Sequence, residues 1–191
     1  VAANVEAGLT AYHAGAHDGV VAFGVGSGID AGKVIAFMSG QSRPMWDFED
    51  VEDWWTRADP KGIAPIVAVP TTAGTGSEVG RSAVISDDDT HVKKIIFSPL
   101  LLARAVFADP ELTLELPTLI TAATGMDALT HNVESYLSPA YHPLCDGIAL
   151  EGVRIAARAL PLAVKNARDI EAWSDMLMSS MMGAIAFQKD L

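Results

Sequence analysis

The residues best suited to chemistry lie in Thr124-Gly-Met-Asp127-Ala-Leu-Thr-His131-Asn-Val-Glu134. At about 100° per residue on a helix, Thr124, Asp127, His131 and Glu134 share one stripe roughly 80° wide. Met126, Leu129, Val133 and Leu137 form a separate apolar stripe, so the spacing predicts a helix with one face for the core and one line of carboxylate and imidazole. Asp and His at i, i+4 can hold a divalent ion together, because their side chains meet on one face. A plain Asp–His hydrogen bond is the alternative. Two donors do not close a four-coordinate site, and His13, His17, His91 and His142 show no ligand spacing.

Two further segments could cradle a ligand. Gly24-Val25-Gly26-Ser27-Gly28 stands where an apolar strand gives way to a helical pattern. Glycines let backbone approach a ligand closely, and the free amides of a helix start suit a phosphate or diphosphate. The spacing is not the dinucleotide fingerprint, whose third glycine would fall on Ile29, and a tight βα turn accounts for it equally well. Pro70-Thr-Thr-Ala-Gly-Thr-Gly-Ser-Glu78 follows a second strand with four hydroxyls and two glycines. Ligands of open α/β sheets bind beyond the carboxyl ends of strands, where both loops would lie; local backbone capping is the alternative for the second. No Gly-x-Ser-x-Gly elbow is present, and Cys145 falls on the apolar side of a helical pattern without a basic neighbour.

The elements that must position these residues fall into two regimes. Up to about residue 116, short β-branched runs at 19–24, 63–69, 83–86, 92–97 and 105–108 read as strands covered on both faces, as in a parallel sheet. Ser27–Met38 reads as a helix between the first two, which makes a βαβ unit. Gln41–Lys61 reads as a polar surface excursion with one short helix. After Asp109-Pro110 the strands cease, and 118–138, 143–168 and 170–188 read as helices. In the second, Leu144, Ile148, Val153, Ile155 and Leu160 mark a core face, and Pro161 kinks or ends it. In the third, Trp173, Met176, Leu177, Met181, Ala184 and Ile185 do so. The expected boundary lies at Leu116-Pro117, dividing an α/β domain (1–116) from a helical one (117–191).

Composition bounds the function. The chain has 191 residues, 50% hydrophobic and 19% charged, enough for a sizeable core. Its formal net charge of −11 disfavours nucleic acid, which requires clustered Lys and Arg. One cysteine excludes an internal disulfide, and no apolar run reaches the ~20 residues of a membrane span. The expectation is a cytoplasmic protein without nucleic-acid or membrane partners. Val1-Ala-Ala-Asn4 has no features of a signal peptide and looks like the interior of a longer chain.

Taken in order, these segments resemble the iron-containing (group III) alcohol dehydrogenases. The matching text is Gly24-Val-Gly-Ser-Gly-Ile-Asp-Ala-Gly-Lys33, Pro70-Thr-Thr-Ala-Gly-Thr-Gly-Ser-Glu78, Asp109-Pro-Glu-Leu-Thr113 with Leu116-Pro117, and Ala123-Thr-Gly-Met-Asp-Ala-Leu-Thr-His131. The resemblance implies the dehydroquinate synthase-like architecture: a Rossmann-like α/β domain and an all-helical domain, both incomplete here, with the active site in the cleft between. It implies NAD or NADP on Gly24, Gly26, Ser27, Thr71, Thr72, Thr75 and Lys93, and Fe(II), with Zn(II) suiting the same donors, on Asp127 and His131. The implied activity is hydride transfer between the nicotinamide and a primary alcohol or hydroxy acid and its carbonyl counterpart. A metal-independent relative such as a maleylacetate reductase is the nearer alternative, and having both Asp127 and His131 argues against it. A non-catalytic nucleotide-binding fragment is the other. Three departures stand out. Val25 replaces the family's middle glycine; the family's first strands would precede Val1; and its two further metal histidines would follow Ala186-Phe187. The chain is therefore expected to be the middle of a dehydrogenase, not necessarily active alone, and a homo-oligomer through a sheet edge left open by missing strands.

Overall fold

A computed structural model of the chain describes residues 1–190. Its contacts divide it into two compact units. Residues 1–69 and 80–107 form one; residues 70–79, with the chain from 108 onward, form the other. The hydroxyl-rich loop thus belongs by its contacts with the helices.

The first unit holds α1 (Ala2–Ala14), β1 (Val20–Gly24), α2 (Gly26–Met38), β2 (Ile66–Pro70), β3 (Ser82–Ser86), β4 (Lys93–Phe97) and β5 (Ala105–Val106). A three-stranded sheet has the order β1–β2–β5, with β2 and β5 parallel through Val67–Ala105 and Ala68–Val106. Helix α2 lies close on β1: a Cβ on Gly32 would come within 2.7 Å of the Ala22 methyl. Ala22, Ile29, Ala36, Ala64, Ile66 and Ala68 fill that contact. The strand runs at 83–86 and 92–97 do not enter the parallel sheet. They pair antiparallel with each other, Ser82 opposite Phe97 and Ser86 opposite Lys93. Only six residues join them, whereas a parallel pair needs a crossover of a dozen or more. One face of this hairpin supplies Ala83, Ile85 and Ile96 to a second core with Val5, Val34, Phe37 and Phe48, while Val84 and Ile95 remain exposed. Two charged residues of α2 hold the hairpin. Asp30 accepts from the Val84 amide at 2.9 Å, and buried Lys33 donates to the carbonyls of Gly80 and Ser82 at 2.9 and 2.6 Å.

Two further differences have local causes. The 41–61 segment contains three 3₁₀ turns, at Met45–Phe48, Trp54–Arg57 and Pro60–Gly62. It is not merely a surface excursion: Phe48 is fully buried, edge-on to Phe37 with centroids 5.0 Å apart. Helix α1 shows little apolar periodicity, and among its residues only Val5 is fully buried.

The second unit is built on α3 (Thr118–Leu137), α4 (Pro143–Lys165) and α5 (Ile170–Ala186), closed by a 3₁₀ turn at Phe187–Asp190. Asp109 caps the preceding 3₁₀ turn by accepting from the Glu111 amide, and Asp169 caps α5 by accepting from Ala172. The core of Ala128, Ala156, Ala159, Leu160, Ala163, Trp173, Met176 and Leu177 is rich in alanine, which lets the helices approach closely. Helix α4 continues through Pro161 to Lys165; the ring is exposed, so the missing amide costs little on the solvent side. Leu144, in the first turn of α4, and Ile185, both expected in the core, are exposed.

The largest correction concerns α3. Its buried residues are Thr121, Gly125, Ala128, Asn132 and Ser135. The expected apolar stripe is mostly outside, with Met126, Val133 and Leu137 exposed and only Leu129 packed against the core. The helix is turned roughly 120° from the orientation its hydrophobicity implies. Close packing of small residues against α4 and α5 decides the rotation. Among the described residues no helix is long and apolar enough to cross a membrane.

Candidate cofactor and metal site

The glycine turn leaves the carboxyl end of β1. Gly24 has φ +145°, a conformation that L side chains rarely adopt, so a glycine is required there. Val25, the residue that departs from the family pattern, has φ −72° and ψ 169°, ordinary extended backbone, and its side chain is exposed. Val25 therefore sits on unstrained backbone, because the demanding conformation falls one residue earlier. Gly26 is buried as the first residue of α2, Ser27 is exposed beside it, and no side chain caps this helix start. Lys93 opens β4, exposed, on the hairpin sheet rather than the sheet that carries the turn.

The hydroxyl-rich loop is seated on the helical unit. A Cβ on Gly74 would lie 3.0 Å from Thr124 Cβ, and one on Gly76 would lie 2.3 Å from the Ala184 methyl. Gly76 also has φ +62°. These two glycines fix the loop against α3 and α5, a role that glycine counting alone does not reveal. Thr72 is buried, Thr71 half-buried and Thr75 exposed, its hydroxyl accepting from the Ser77 amide at 3.3 Å. Gly74 meets α3 one turn before Asp127, which places loop and carboxylate in one neighbourhood within this unit.

Asp127 and His131 do come together. His131 Nε2 stands 3.7 Å from Asp127 Oδ1, with both side chains partly exposed. That separation is too long for a hydrogen bond. Two ligands at about 2.1 Å around a tetrahedral ion sit roughly 3.4 Å apart, close to the spacing observed. His131 Nδ1 is buried without a hydrogen-bond partner, so nothing else consumes the imidazole. The pair fits a divalent cation as a two-donor half-site. Among the described residues no group of three His, Cys, Asp or Glu could hold a metal.

What aims His131 was not evident from residue type. Ser135 Oγ donates to the His131 carbonyl at 2.6 Å. Asn132, fully buried, donates through Nδ2 to the carbonyls of Ala128 and Ser179 at 2.8 and 2.9 Å, and Ser179 Oγ donates to the Gly152 carbonyl. A Cβ on Gly152 would fall 1.9 Å from Asn132 Oδ1, and one on Gly183 3.1 Å from His131 Cβ. A polar knot therefore joins α3, α4 and α5 at the level of the imidazole, with glycines making room for it. The sequence signal was the pair of helical glycines, 152 and 183.

A model of the iron-containing alcohol dehydrogenases matches residues 2–110, and one of the C-terminal region of the same family matches residues 121–190. The chain is 43% identical over 189 residues to a 4-hydroxybutyrate dehydrogenase of Cupriavidus necator, covering 99% of this chain and 49% of that protein. It is 38% identical over 184 residues to a 1,3-propanediol dehydrogenase of Klebsiella pneumoniae, covering 96% and 46%. The crystal structure of a 1,3-propanediol oxidoreductase superimposes with a TM-score of 0.89 at 38% identity, over 96% of this chain and 47% of that one. A sulfoacetaldehyde reductase from Bifidobacterium kashiwanohense, solved with NAD+, gives 0.87 at 33% identity, over 95% and 47%. The chain spans about half the length of the curated relatives it matches.

Proposed function

Because this chain belongs to the iron-containing alcohol dehydrogenase family, we propose that it carries the nucleotide turn and half of the metal centre of an NAD(P)-dependent alcohol dehydrogenase. The observation that carries this reading is the Asp127–His131 pair, 3.7 Å apart, unbonded to each other and partly open. On this reading the backbone at Gly24, Gly26 and Ser27 receives the cofactor diphosphate, Thr71, Thr72 and Thr75 line the cofactor, and Lys93 approaches its ribose. Asp127 and His131 hold Fe(II), or Zn(II), for which carboxylate and imidazole donors serve equally. When bound, a divalent ion supplies Lewis acidity toward an alcohol oxygen and a nicotinamide supplies the hydride acceptor. The chain's own residues position: the turn holds anionic oxygen with backbone amides, and α3 presents two donors from one face. The relatives' names, a 4-hydroxybutyrate and a 1,3-propanediol dehydrogenase, support a short primary alcohol bearing a second polar group as substrate. Mean hydropathy, the single cysteine and the family all suit a cytoplasmic enzyme.

Metal analysis together with NADH binding tests the proposal. The chain is expected to retain Fe(II) or Zn(II), and Asp127→Ala and His131→Ala to lose it while remaining folded. Gly26→Val is expected to weaken NADH binding with metal content intact, since Gly26 and Asp127 belong to different units. Equal loss of both in a folded Gly26→Val protein overturns that separation. The finding that only two donors are grouped among the described residues favours a second reading, a nucleotide-binding segment without metal. NADH binding with no metal retained in any variant would establish it.

A further inference from the structure

The imidazole of His131 has no hydrogen bond at its buried Nδ1 and none to Asp127, yet a ligand must present a fixed lone pair. One contact in the structure addresses its plane. The Phe187 ring lies with its centroid 5.6 Å from that of His131, inclined by 60°. Phe187 ends α5, its amide donating to the Gly183 carbonyl, and opens the closing 3₁₀ turn.

The next two residues tie that turn down at separate points. Gln188 Nε2 donates to the carbonyl of Val79, the last residue of the hydroxyl-rich loop segment, and to that of Ala184, both at 3.0 Å. The Lys189 side chain is 1% exposed, and its ammonium donates to Asp146 Oδ1 at 2.7 Å, in the first turn of α4. It also reaches the Ser138 carbonyl, the C-cap of α3, at 3.4 Å. Three consecutive side chains thus contact the imidazole, the end of the loop, and the junction of α3 with α4. A lysine withdrawn this far from water requires a partner that fixes it, and Asp146 provides one.

We propose that Phe187 is a positioning residue for His131, and that Gln188 and Lys189 form a clasp that holds Phe187 in place. The clasp joins the loop segment assigned to the cofactor and the helix assigned to the metal, so a shift of the loop would be felt at the imidazole. This rests on the metal reading above only for its catalytic meaning; the orientation of the ring is a property of the chain itself.

The experiment is carbon–proton NMR of the imidazole Cε1 positions in the histidine-labelled full chain, with Co(II) titration alongside. The four other histidines act as internal controls. Phe187→Leu keeps apolar bulk but removes the ring current, and His131 alone is expected to move toward the position of an unoriented histidine. Co(II) binding is expected to weaken about tenfold. Phe187→Tyr restores both. Lys189→Met, remote from the imidazole, is expected to reproduce part of the same shift, whereas Lys189→Arg leaves it unchanged. A His131 signal unmoved in Phe187→Leu, or moved equally in Phe187→Tyr, overturns the proposal, as does unchanged Co(II) affinity once the shift is lost. A wild-type chain that takes up no Co(II) while its His131 signal still depends on Phe187 and Lys189 overturns the metal reading and leaves the positioning role supported.

Discussion

On the proposed reading, the glycine turn of the first unit and the Asp127–His131 face of the second would meet the same need, presenting polar groups to a ligand, by different means. The turn offers backbone: its shape depends on one residue at φ +145°, and the neighbouring side chains are dispensable enough for Val25 to stand in solvent. The α3 face offers side chains, whose direction depends on how the whole helix is rotated. That rotation is set by a buried stripe of Thr121, Gly125, Ala128, Asn132 and Ser135 packed on α4 and α5. A backbone site is thus specified locally, a side-chain site by tertiary packing, and damage to each should spread accordingly.

The largest effect is expected where α4 meets the polar knot. A Cβ on Gly152 has no room beside Asn132 Oδ1, so Gly152→Val should cost the helical unit about 3 kcal/mol or more. Thermal unfolding followed at 222 nm should show it, with metal retention lost in parallel. Near-native stability in Gly152→Val would mean that the knot does not set the rotation of α3. Asn132→Ala should follow at about 2 kcal/mol, since it removes the buried amide that ties α3 to Ser179 of α5 and leaves a void in its place. In that variant urea midpoints and Co(II) affinity should fall together; a change in stability alone would separate packing from ligand presentation.

Gly24→Ala is expected to cost about 1–2 kcal/mol of backbone strain, confined to the first unit. NADH affinity should drop while metal content stays constant, which is the opposite pattern to Gly152→Val. Should Gly24→Ala also disturb the metal, the contrast between local and tertiary specification fails.

The same contrast explains what could be read from residue types. The glycine turn and the α2 helix behind it are legible, because positive φ and close strand–helix approach leave a chemical trace in Gly24 and Gly32. The i, i+4 pairing of Asp127 and His131 is legible because it is a property of one helix. The core face of α3 is not. A stripe of Thr, Gly, Ala, Asn and Ser has no hydrophobic signature, while Met126, Val133 and Leu137, which do, lie outside. The antiparallel hairpin at 82–97 was obscured for another reason: its apolar runs look like buried parallel strands, and only the six-residue connection betrays them. Asp30 and Lys33, carried along in the matching glycine motif, grip that hairpin.

The smallest effect is expected at the tip of the same hairpin, beside Lys93 but apart from the glycine turn and the Asp127–His131 pair. Lys94 donates to Asp87 at 2.9 Å, and the Asp89 and Thr90 amides donate to the same carboxylate. The Lys94 ammonium, helped by those amides, holds the Asp87 carboxyl well below its usual range, at about 2. Asp87 in turn raises Lys94. For the acid, the folded value lies below the unfolded one of about 3.9, so its contribution is full above that pH and vanishes as the pH falls through about 2. For the lysine, the contribution is present below about pH 10.4 and is lost as the pH rises through the elevated folded value. Asp87→Asn should therefore flatten the decline of the urea midpoint between pH 4 and pH 2, and should remove the alkaline loss attributable to Lys94. The side chains of Asp87 and Lys94 are partly buried near the surface, 12% and 25% exposed, so the change at neutral pH should be modest and should shrink in high salt. Because the pair belongs to a turn specified by its own few residues, metal retention should be untouched. A variant that loses metal would show that this hairpin is coupled to the Asp127–His131 face.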